Sequence, residues 1–420
     1  PEKLDFQLLL KQHEQKHGKP LKPVRRHKNS KSRVPNTMKC PRCGAPYTYL
    51  YDNTGGRGQY KCKVCDCNFN AKNYYSKSAI IKCPHCLKTL EKIKERKDFF
   101  IFKCKNDDCS FYKKNLVAMS KEEKRRFQKD PQAFKLRYIY RQFHFDYKPL
   151  EKSSPVMPKV DLSKIHASPH TLGLILTFHV NYGMSARRTA ALMQDVYGFK
   201  ISHQTVLNYA DAAAKMVKPF TDHYPYELSH SFCGDETYVR VSGKWHYLFF
   251  FFDAVKKIIL SYPVSANRDT LSAIKALDDV LTKLPEIPDD LTFVVDGNPI
   301  YLLAQHFFAS QGIHFDVHQV IGLTNEDEVS RQYRPMKQII ERLNRTFKGN
   351  YRFTHGFGTS HGSVTFVTLF VTFFNFLRPH GALEGKVPVV IPELIKMPHM
   401  PARWTKLIEM AQAFIEEQSA

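Results

Sequence analysis

The chain has 420 residues, of which 43% are hydrophobic and 25% are charged. This composition excludes fully disordered, collagen-like and small disulfide-stapled proteins, and the length predicts two to four domains. The most apolar stretch, 366–377, has 12 residues, fewer than the roughly 18–20 that cross a bilayer. No charged-then-apolar leader opens the sequence, so we expect a soluble intracellular protein with no membrane partner.

Positive charge is concentrated in the first third of the chain. Residues 1–150 hold 36 Lys and Arg against 14 Asp and Glu, whereas residues 151–420 hold 27 against 26. A polycationic module of this kind attracts polyanions, most often nucleic acid. A basic surface that serves solubility alone is the alternative.

Nine of the ten cysteines lie between positions 40 and 109, and eight of these nine form two sets of two pairs. A C-x-x-C turn presents two thiolates to one tetrahedral ion, and a hairpin brings back a second pair. We therefore expect two zinc ribbons, over 38–72 and 73–118, and up to two structural Zn²⁺ ions in closed four-thiolate sites. The predicted ligands are Cys40, Cys43, Cys62 and Cys65 in the first ribbon and Cys83, Cys86, Cys104 and Cys109 in the second.

Some alternatives remain open for these cysteines. Disulfides are one, although nothing marks the chain as secreted. The second ribbon has an irregular final spacing, Cys67 competes with Cys65 for the first site, and His85 is expected to face solvent rather than bind metal. Because such ribbons have little core, metal binding should supply most of their folding energy, on the order of 10 kcal/mol per site.

Residues 1–37 are polar and basic and are predicted to be a flexible arm, and residues 119–168 to be a charged helical linker. Residues 169–225 have the pattern of three short helices, with Ser185 and Ser202 as N-caps of the second and third. This arrangement is typical of a helix-turn-helix, and an ordinary three-helix packing domain is the alternative. In a helix-turn-helix, the DNA-facing residues would be His203, Gln204 and Asn208, with Arg187 and Arg188 near the phosphate backbone.

From about residue 230 to residue 395 the pattern is that of an α/β domain. The predicted order is three hairpin-linked strands (232–241, 245–252, 257–263), a helix (269–284), a strand (291–295), a helix and a strand (314–320). This order indicates a ribonuclease H-like core, a mixed five-stranded sheet with flanking helices. After a polar loop, Pro335 is expected at the N1 position of a further helix. Residues 396–420 are expected to form a C-terminal helix.

Three acidic residues follow this order of elements: Asp235 on the first strand, Asp296 just after the fourth, and Glu341 on the following helix. Clustered carboxylates repel one another unless cations neutralise them. Mg²⁺ prefers oxygen ligands, and two ions about 3.5–4 Å apart support in-line displacement at a phosphodiester. We therefore expect two Mg²⁺ or Mn²⁺ ions per active site.

Four segments carry a family resemblance: 234–238 (GDETY), 294–301 (VVDGNPIY), 340–348 (IERLNRTFK) and 376–383 (FLRPHGAL). Together they resemble the catalytic core of the DDE transposases of prokaryotic insertion sequences, within the retroviral-integrase superfamily. The resemblance implies that Asp235, Asp296 and Glu341 are the catalytic metal-binding triad. It also implies that Lys348 contacts DNA near the active site. We expect Arg345, in the same segment, to be a second DNA contact.

One departure leaves the third acid open. The 44 residues between Asp296 and Glu341 are more than is common in this family, so Glu326, Asp327 and Glu328 compete with Glu341. We prefer Glu341 because a helix fixes a ligand more firmly than a loop does. The remaining candidates in this domain are expected to be structural: Glu236 and Asp253 as supporting acids, Cys233 as a buried core thiol, and His380 as a helix-ending residue.

The function that the resemblance implies is that of a DNA transposase in the prokaryotic cytoplasm, associated with the nucleoid. The ribbons, arm and helix-turn-helix would recognise double-stranded element ends. The core would hydrolyse a phosphodiester at each end and use the freed 3′-hydroxyl to attack target DNA, in a homodimer or higher synaptic oligomer. The rivals are a nuclease of the same fold that does not join ends, a non-catalytic zinc-dependent DNA-binding regulator derived from a transposase, and a ribbon-bearing RNA-polymerase or translation component, which would leave the acids unexplained.

Overall fold

The computed structural model of the protein describes residues 5–25, 34–53, 58–70, 81–150, 165–320 and 328–419. The chain divides into two compact units. The first takes Pro1–Glu91, Lys103–Tyr138 and Gln305–Val317, and the second takes Lys92–Phe102, Ile139–Ala304 and His318–Ala420.

The first unit begins with helix α1 (Phe6–His17), within the segment predicted to be a flexible arm. The side chain of Asp5 accepts a hydrogen bond from the Gln7 N–H, and Gly18 closes the helix in the left-handed conformation. Phe6 and Leu9 pack against the buried residues of the first cysteine set. Because these apolar contacts offset the cost of ordering the chain, this part of the arm is helical rather than flexible.

Two three-stranded sheets lie between residues 50 and 143, the first in the first unit and the second mainly in the second unit. The first sheet is antiparallel, in the order β1 (Leu50–Asp52), β2 (Gln59–Cys62), β3 (Asn68–Asn70). The second has the order β4 (Glu91–Glu95), β5 (Phe99–Lys103), β6 (Ile139–Phe143). Strand β6 lies well beyond residue 118, where the second ribbon was predicted to end. The intervening helices are α2 (Ser110–Val117) and α3 (Lys121–Lys129), the latter with a capping box of Ser120 and Glu123.

The second unit contains the three helices predicted over 169–225. They are α4 (Pro169–Leu176, extended by a π-helical turn, Thr177–Asn181), α5 (Ala186–Tyr197) and α6 (His203–His223). Ser185 and Ser202 cap α5 and α6, which confirms both predicted helix starts. Gly183 in the first turn has φ +62°, and a Cβ there would lie 3.2 Å from the Cα of Asn350. The turn therefore requires glycine both for its conformation and for its close contact.

These helices pack directly on the following α/β elements of the same unit. Helix α10 (Ser360–Thr372) lies against α6, where the hydroxyls of Thr221 and Thr372 are 2.9 Å apart. Helix α12 (Met400–Ser419) packs on α4, and the indole of Trp404 donates a hydrogen bond of 3.0 Å to Asn181. The side chain of Asn350 donates to the carbonyl of Val180 at 3.1 Å.

The α/β part contains the predicted mixed sheet. Its strands are β7 (Ser231–Val241), β8 (Lys244–Asp253), β9 (Ile259–Ser261), β10 (Val264–Ser265), β11 (Thr292–Val295) and β12 (Asp316–Gln319). The order is β10-β8-β7-β11-β12, with β9 also paired to β8; β8 is antiparallel and β11 parallel to β7. This sheet has six strands, not the predicted five, because β9 and β10 are separated at Tyr262 and Pro263. Proline has no N–H group with which to continue the hydrogen-bond ladder.

The helices from here to the end of the described chain are α7 (Thr270–Leu281), α8 (Pro299–Ser310), α9 (Glu328–Tyr351), α10, α11 (Pro392–Ile395) and α12. Of these, α7, α9 and α10 contact strands of the sheet. Pro335 lies inside α9 and not at its N1 position as predicted. The apolar residues Tyr333 and Met336, at helical spacing on either side of the proline, pack against the core. This burial offsets the backbone hydrogen bond that proline removes.

The stretch Ser360–Leu383 is helical and apolar over a length sufficient to span a membrane, and 67% of its most apolar window is buried in the protein. Its buried Asn375 bonds the edge of the sheet, since its side chain donates to the carbonyl of Ile259 and accepts from the N–H of the same residue, each at 2.9 Å. A core helix behind a sheet has this pattern of burial.

His380 comes just after the continuous helical turns, which end at Leu377, and we expect it to make folding stability pH-dependent. Its ring packs edge-on against Phe374 at 4.5 Å, and burial, followed by the charge of Arg378, lowers its pKa to about 4. As pH falls, the unfolded chain takes up this proton first, so the stabilisation present above pH 6.5 is lost towards pH 4. We expect His380→Gln to reduce the loss of unfolding free energy between pH 7 and pH 4.5 by about 1 kcal/mol, allowing for partial exposure. Urea titrations would measure this, with exposed His399→Gln as the control; equal slopes in all three proteins would contradict it.

Candidate active site

The first predicted acid, Asp235, lies in the middle of β7. Residues two apart on a strand share a face, and Cys233 on this face is completely buried, as predicted for a core thiol. Gly234 occupies the opposite face, where a Cβ would lie 2.4 Å from the ring of Phe251. Glycine therefore allows the aromatic core to approach the strand immediately before the acid.

The second acid, Asp296, reaches the same level of the sheet from β11. Because Val294 pairs with Cys233 in parallel register, the residue two positions later lies level with Asp235. The carboxylate of Asp296 accepts from the N–H of Asn298 at 2.9 Å, which fixes the turn after the strand. Gln319 on β12 donates to the carbonyls of Asp296 and Asn298, at 3.2 and 2.9 Å.

Asp235, Glu236 and Asp296 form one acidic cluster, with an oxygen of each within 4.8 Å of the other two. Burial, and then the charge of Asp296, raises the pKa of Glu236 to about 7. Burial and the neighbouring acid also raise the pKa of Asp235. Burial and repulsion between these carboxylates disfavour their charged forms, and a divalent cation bound between them would relieve this repulsion.

Two basic side chains lie against this cluster. Arg268 contacts Glu236 through Nε at 3.1 Å and Nη2 at 3.3 Å, and its Nη2 also lies 3.3 Å from Asp296. Asn298 donates to Glu236 at 3.1 Å. On the other side, Nζ of Lys337 lies 3.0 Å from Oδ2 of Asp235. Glu236, which was expected to be a supporting acid, is thus bound by an arginine and an amide and is also one of the three acids that converge.

The third predicted acid, Glu341, is exposed on α9 and lies outside this group of three. The residues four before it and three after it, Lys337 and Asn344, both contact Oδ2 of Asp235 at 3.0 Å. Helical geometry places Glu341 about 40° and 60° around the axis from these two residues. Glu341 therefore belongs to the helix face that adjoins Asp235. Its competitors Glu326 and Asp327, and the side chain of Glu328, lie outside the described residues.

The two predicted DNA contacts on α9 differ in their surroundings. Lys348 is half-buried, donates to the carbonyl of Tyr238 and lies 5.1 Å from the ring centroid of Tyr351. Burial lowers its pKa. Arg345 is exposed.

The donor set fits a hard divalent cation. Its oxygens come from the carboxylates of Asp235 and Asp296, which are partly accessible, with 16% and 29% of their side chains exposed. The side-chain amide oxygen of Asn344, Oδ1, is buried without a hydrogen-bond partner among the described residues. A metal ion or its bound water would satisfy such an oxygen.

Comparison with known families agrees with this geometry. Residues 229–365 match the family model DDE_Tnp_IS240, described as a DDE domain. The matched residues include Asp235, Asp296 and Glu341. None of the curated proteins matches it significantly.

Three solved structures are similar to parts of this chain. The catalytic core of HTLV-2 integrase with magnesium has 16% identity and a TM-score of 0.26, covering 38% of this chain and 94% of its own. The simian T-cell lymphotropic virus intasome in complex with the PP2A regulatory subunit B56 gamma has 15% identity and a TM-score of 0.26, covering 54% and 79%. The Mos1 strand transfer complex has 11% identity and a TM-score of 0.19, covering 70% and 87%.

Outside the DDE domain, the eight predicted zinc ligands form two four-cysteine clusters. All ten cysteines are free thiols, so the disulfide alternative does not apply. Sulfur pairs lie 3.6 Å apart for Cys43 and Cys62 and 3.8 Å apart for Cys83 and Cys109. Zn–S bonds of about 2.3 Å would place tetrahedral sulfurs about 3.8 Å apart, so both clusters fit Zn²⁺. Cys67 and His85 lie outside the clusters, as expected for His85.

All five residues predicted to contact DNA from the helical segment line one cleft of about 980 Å³. Arg187, Arg188, His203, Gln204 and Asn208 are exposed there. The opposite wall is formed by the segment after α9, which includes Phe353, and by the first turn of α10, which includes His361. His361 lies 2.5 Å from Asp211 of α6, which connects the two walls.

Sequence reasoning did not identify four site residues: Arg268, Lys337, Asn298 and Asn344. Asn298 and Asn344 lie inside the DGNP and ERLNR segments, so their helical or turn spacing from the acids could have indicated them. Arg268 and Lys337 are separated in sequence from the acids that they contact, and no local pattern marks them. Asp253 is structural as expected: it is fully buried and accepts from the N–H groups of Ser229 and Lys256 at 2.7 Å.

Proposed function

We propose that this chain catalyses DNA transposition: divalent-metal-dependent hydrolysis of a phosphodiester at each end of a mobile element, followed by attack of the freed 3′-hydroxyl on target DNA. The observation that carries the proposal is the convergence of Asp235 and Asp296 beside the α9 face that bears Glu341. A surface acidic patch would not need a parallel strand register, an amide turn and an arginine to hold it together. The DDE match over the same residues supports it.

In this proposal Asp235, Asp296 and Glu341 hold two Mg²⁺ or Mn²⁺ ions. The ions would supply activation of the attacking oxygen and charge stabilisation of the leaving oxygen. The protein's own contribution is position. Arg268 forms ion pairs with both Glu236 and Asp296. It therefore holds Asp296 in place through the buried carboxylate of Glu236. Asn344 orients Asp235 from the helix side.

DNA would be bound by the helical cleft and by the basic N-terminal part. The cleft combines two arginines with Gln204 and Asn208, whose side chains are already connected by a 2.9 Å hydrogen bond. Amides of this kind read base edges, and arginines contact phosphates. The ribbons contribute a positively charged surface, with two structural Zn²⁺ ions proposed in the cysteine clusters. Lys348 and Arg345 would contact DNA next to the acids.

We expect Arg187→Ala combined with Arg188→Ala to weaken binding to end-containing duplexes and to reduce its salt dependence. Each phosphate contact contributes about −0.9 to the slope of log affinity against log salt, so the double variant should lose up to about 1.8 of that slope. Fluorescence anisotropy between low and physiological salt measures this. Lys275→Ala, an exposed charge on α7, is the control. An unchanged slope in the double variant would remove the arginines from the DNA interface.

The test of the whole proposal is a strand-transfer assay with end-containing oligonucleotides and Mg²⁺. Joined product whose formation needs the acids supports transposition. Cleavage without joined product would instead assign a nuclease of the same fold. DNA binding without either reaction, with in-cell function unchanged by Asp235→Ala, would assign a non-catalytic regulator.

Two ends must be joined in one event, so we propose that the active form is a homodimer or larger assembly on DNA. Sedimentation of the protein with paired ends would show it as a complex of at least two chains. We place the reaction in the prokaryotic cytoplasm, at the nucleoid, since its substrate is chromosomal DNA.

A further inference from the structure

Lys337 is an unusual neighbour for a metal-binding acid. Its ammonium lies 3.0 Å from Oδ2 of Asp235, and only 11% of its side chain is exposed. A buried ammonium is costly unless it is paired, and the described residues offer it Asp235 as an ion-pair partner. Helix α9 thus pairs a buried ammonium with the acid that the proposed function takes to be a metal ligand.

The contact occupies coordination space on that acid. Oδ2 of Asp235 receives both Nζ of Lys337 and Nδ2 of Asn344, each at 3.0 Å. A carboxylate oxygen has about two lone-pair directions. A cation that uses this oxygen must therefore displace one of the two donors.

The two basic residues of the site differ in how firmly they are held. Arg268 makes two bonds to Glu236 and one to Asp296 through a rigid planar fork. Lys337 is joined to the cluster by one contact, at the end of a flexible four-carbon stem. Arg268 is thus a fixed part of the site, and Lys337 is the part that can move.

We propose that Lys337 is a resident counter-ion, which neutralises Asp235 when no divalent cation is bound and is displaced from it when one binds. This inference rests on the proposed function, because it takes Asp235 to be a metal ligand. Metal affinity is then set by competition with an ammonium inside the protein. The free protein would bind divalent ions more weakly than its acids alone allow, and would keep a neutralised, folded site without them.

Mn²⁺ titration of the full-length, zinc-loaded protein without DNA tests this, with free Mn²⁺ followed by electron paramagnetic resonance. We expect Lys337→Met to bind Mn²⁺ about tenfold more tightly than wild type, because the competing charge is gone. Its melting temperature without Mn²⁺ should be lower, and its rise on Mn²⁺ addition larger. Lys337→Gln, which keeps a hydrogen-bond donor without charge, gives a second variant if the methionine protein does not fold. Lys275→Met controls for the loss of one exposed positive charge.

Equal affinity in wild type and both Lys337 variants would overturn the proposal, because Lys337 would not compete. Weaker binding in the variants would also overturn it, since Lys337 would then hold Asp235 in its metal-binding position. Asp235→Asn separates this failure from that of the proposed function. If Asp235→Asn and wild type bind Mn²⁺ equally, the acids are not the metal site, and the proposed function fails together with this inference.

Discussion

Asp235→Asn, Asp296→Asn and Glu341→Gln are each expected to lower Mg²⁺-dependent strand transfer by about a thousand-fold or more, equivalent to about 4 kcal/mol of transition-state stabilisation. Each substitution removes a charge that would hold the divalent ions but keeps nearly the same volume. DNA binding through the cleft and the ribbons should change little. A time course with end-containing oligonucleotides, with anisotropy on the same duplexes, measures both quantities.

The matched control for these variants is Glu286→Gln, an exposed acid on the loop before β11. Glu236→Gln is the informative comparison, because Glu236 belongs to the acidic cluster but is bound by Arg268 and Asn298. We expect a smaller loss for it, about tenfold to a hundredfold, since it acts by positioning Arg268. If Glu341→Gln kept full activity while Glu236→Gln abolished it, Glu236 would be the third ligand and the helix assignment would be wrong.

Cys43→Ser and Cys83→Ser are expected to unfold their own ribbons and to remove one zinc ion each. Metal binding supplies on the order of 10 kcal/mol per four-thiolate site, more than a small sheet can replace. Burial raises the pKa of Cys43 and of Cys65 to about 12. Zinc binding must therefore release protons, so zinc affinity should rise with pH. Zinc content by mass spectrometry, and proteolysis within residues 38–118, measure the two effects.

Cys67→Ser is the matched control, because Cys67 neighbours the first cluster but is not one of its four cysteines. It should keep two zinc ions and wild-type protease resistance. If Cys67→Ser lost one zinc ion and Cys65→Ser lost none, Cys67 and not Cys65 would be the fourth zinc ligand. DNA affinity should fall in both ribbon variants if the ribbons contact the element ends.

The elements with strong local signals were predictable from sequence. The serine caps of α5 and α6, the aromatic strands β7 and β8, and the paired cysteines each have their cause in neighbouring residues. The strand over 291–295 was also expected in this sheet, because the order of elements restricts a ribonuclease H-like sheet to few topologies. Its pairing with β7 comes from the structure. Asp235 lies on a strand and Asp296 directly after one, as this order of elements predicts.

The parts that sequence did not predict depend on distant residues. Residues Phe6–His17 of the predicted arm are helical because Phe6 and Leu9 pack against the buried residues of the first cysteine set. Helix α9 extends across Pro335 because the sheet buries Tyr333 and Met336. Arg268 and Lys337 meet their acids 32 and 102 positions away in the chain. A single sequence contains the charges but not the pairing, which arises from tertiary contacts.

The contact between Asn350 and Val180 has a consequence for how an end would be measured. It joins helix α9 to the π-helical turn that extends α4, so the acids and the cleft that we propose to read DNA belong to one compact unit. Such a unit would hold the acids at a constant distance from the bound DNA sequence. Adding one base pair between the recognised sequence and the terminal phosphate shifts that phosphate by about 3.4 Å and about a tenth of a helical turn. The cut would then fall at a constant distance from the bound sequence, and ends with altered spacing would be cut at the wrong nucleotide or left intact.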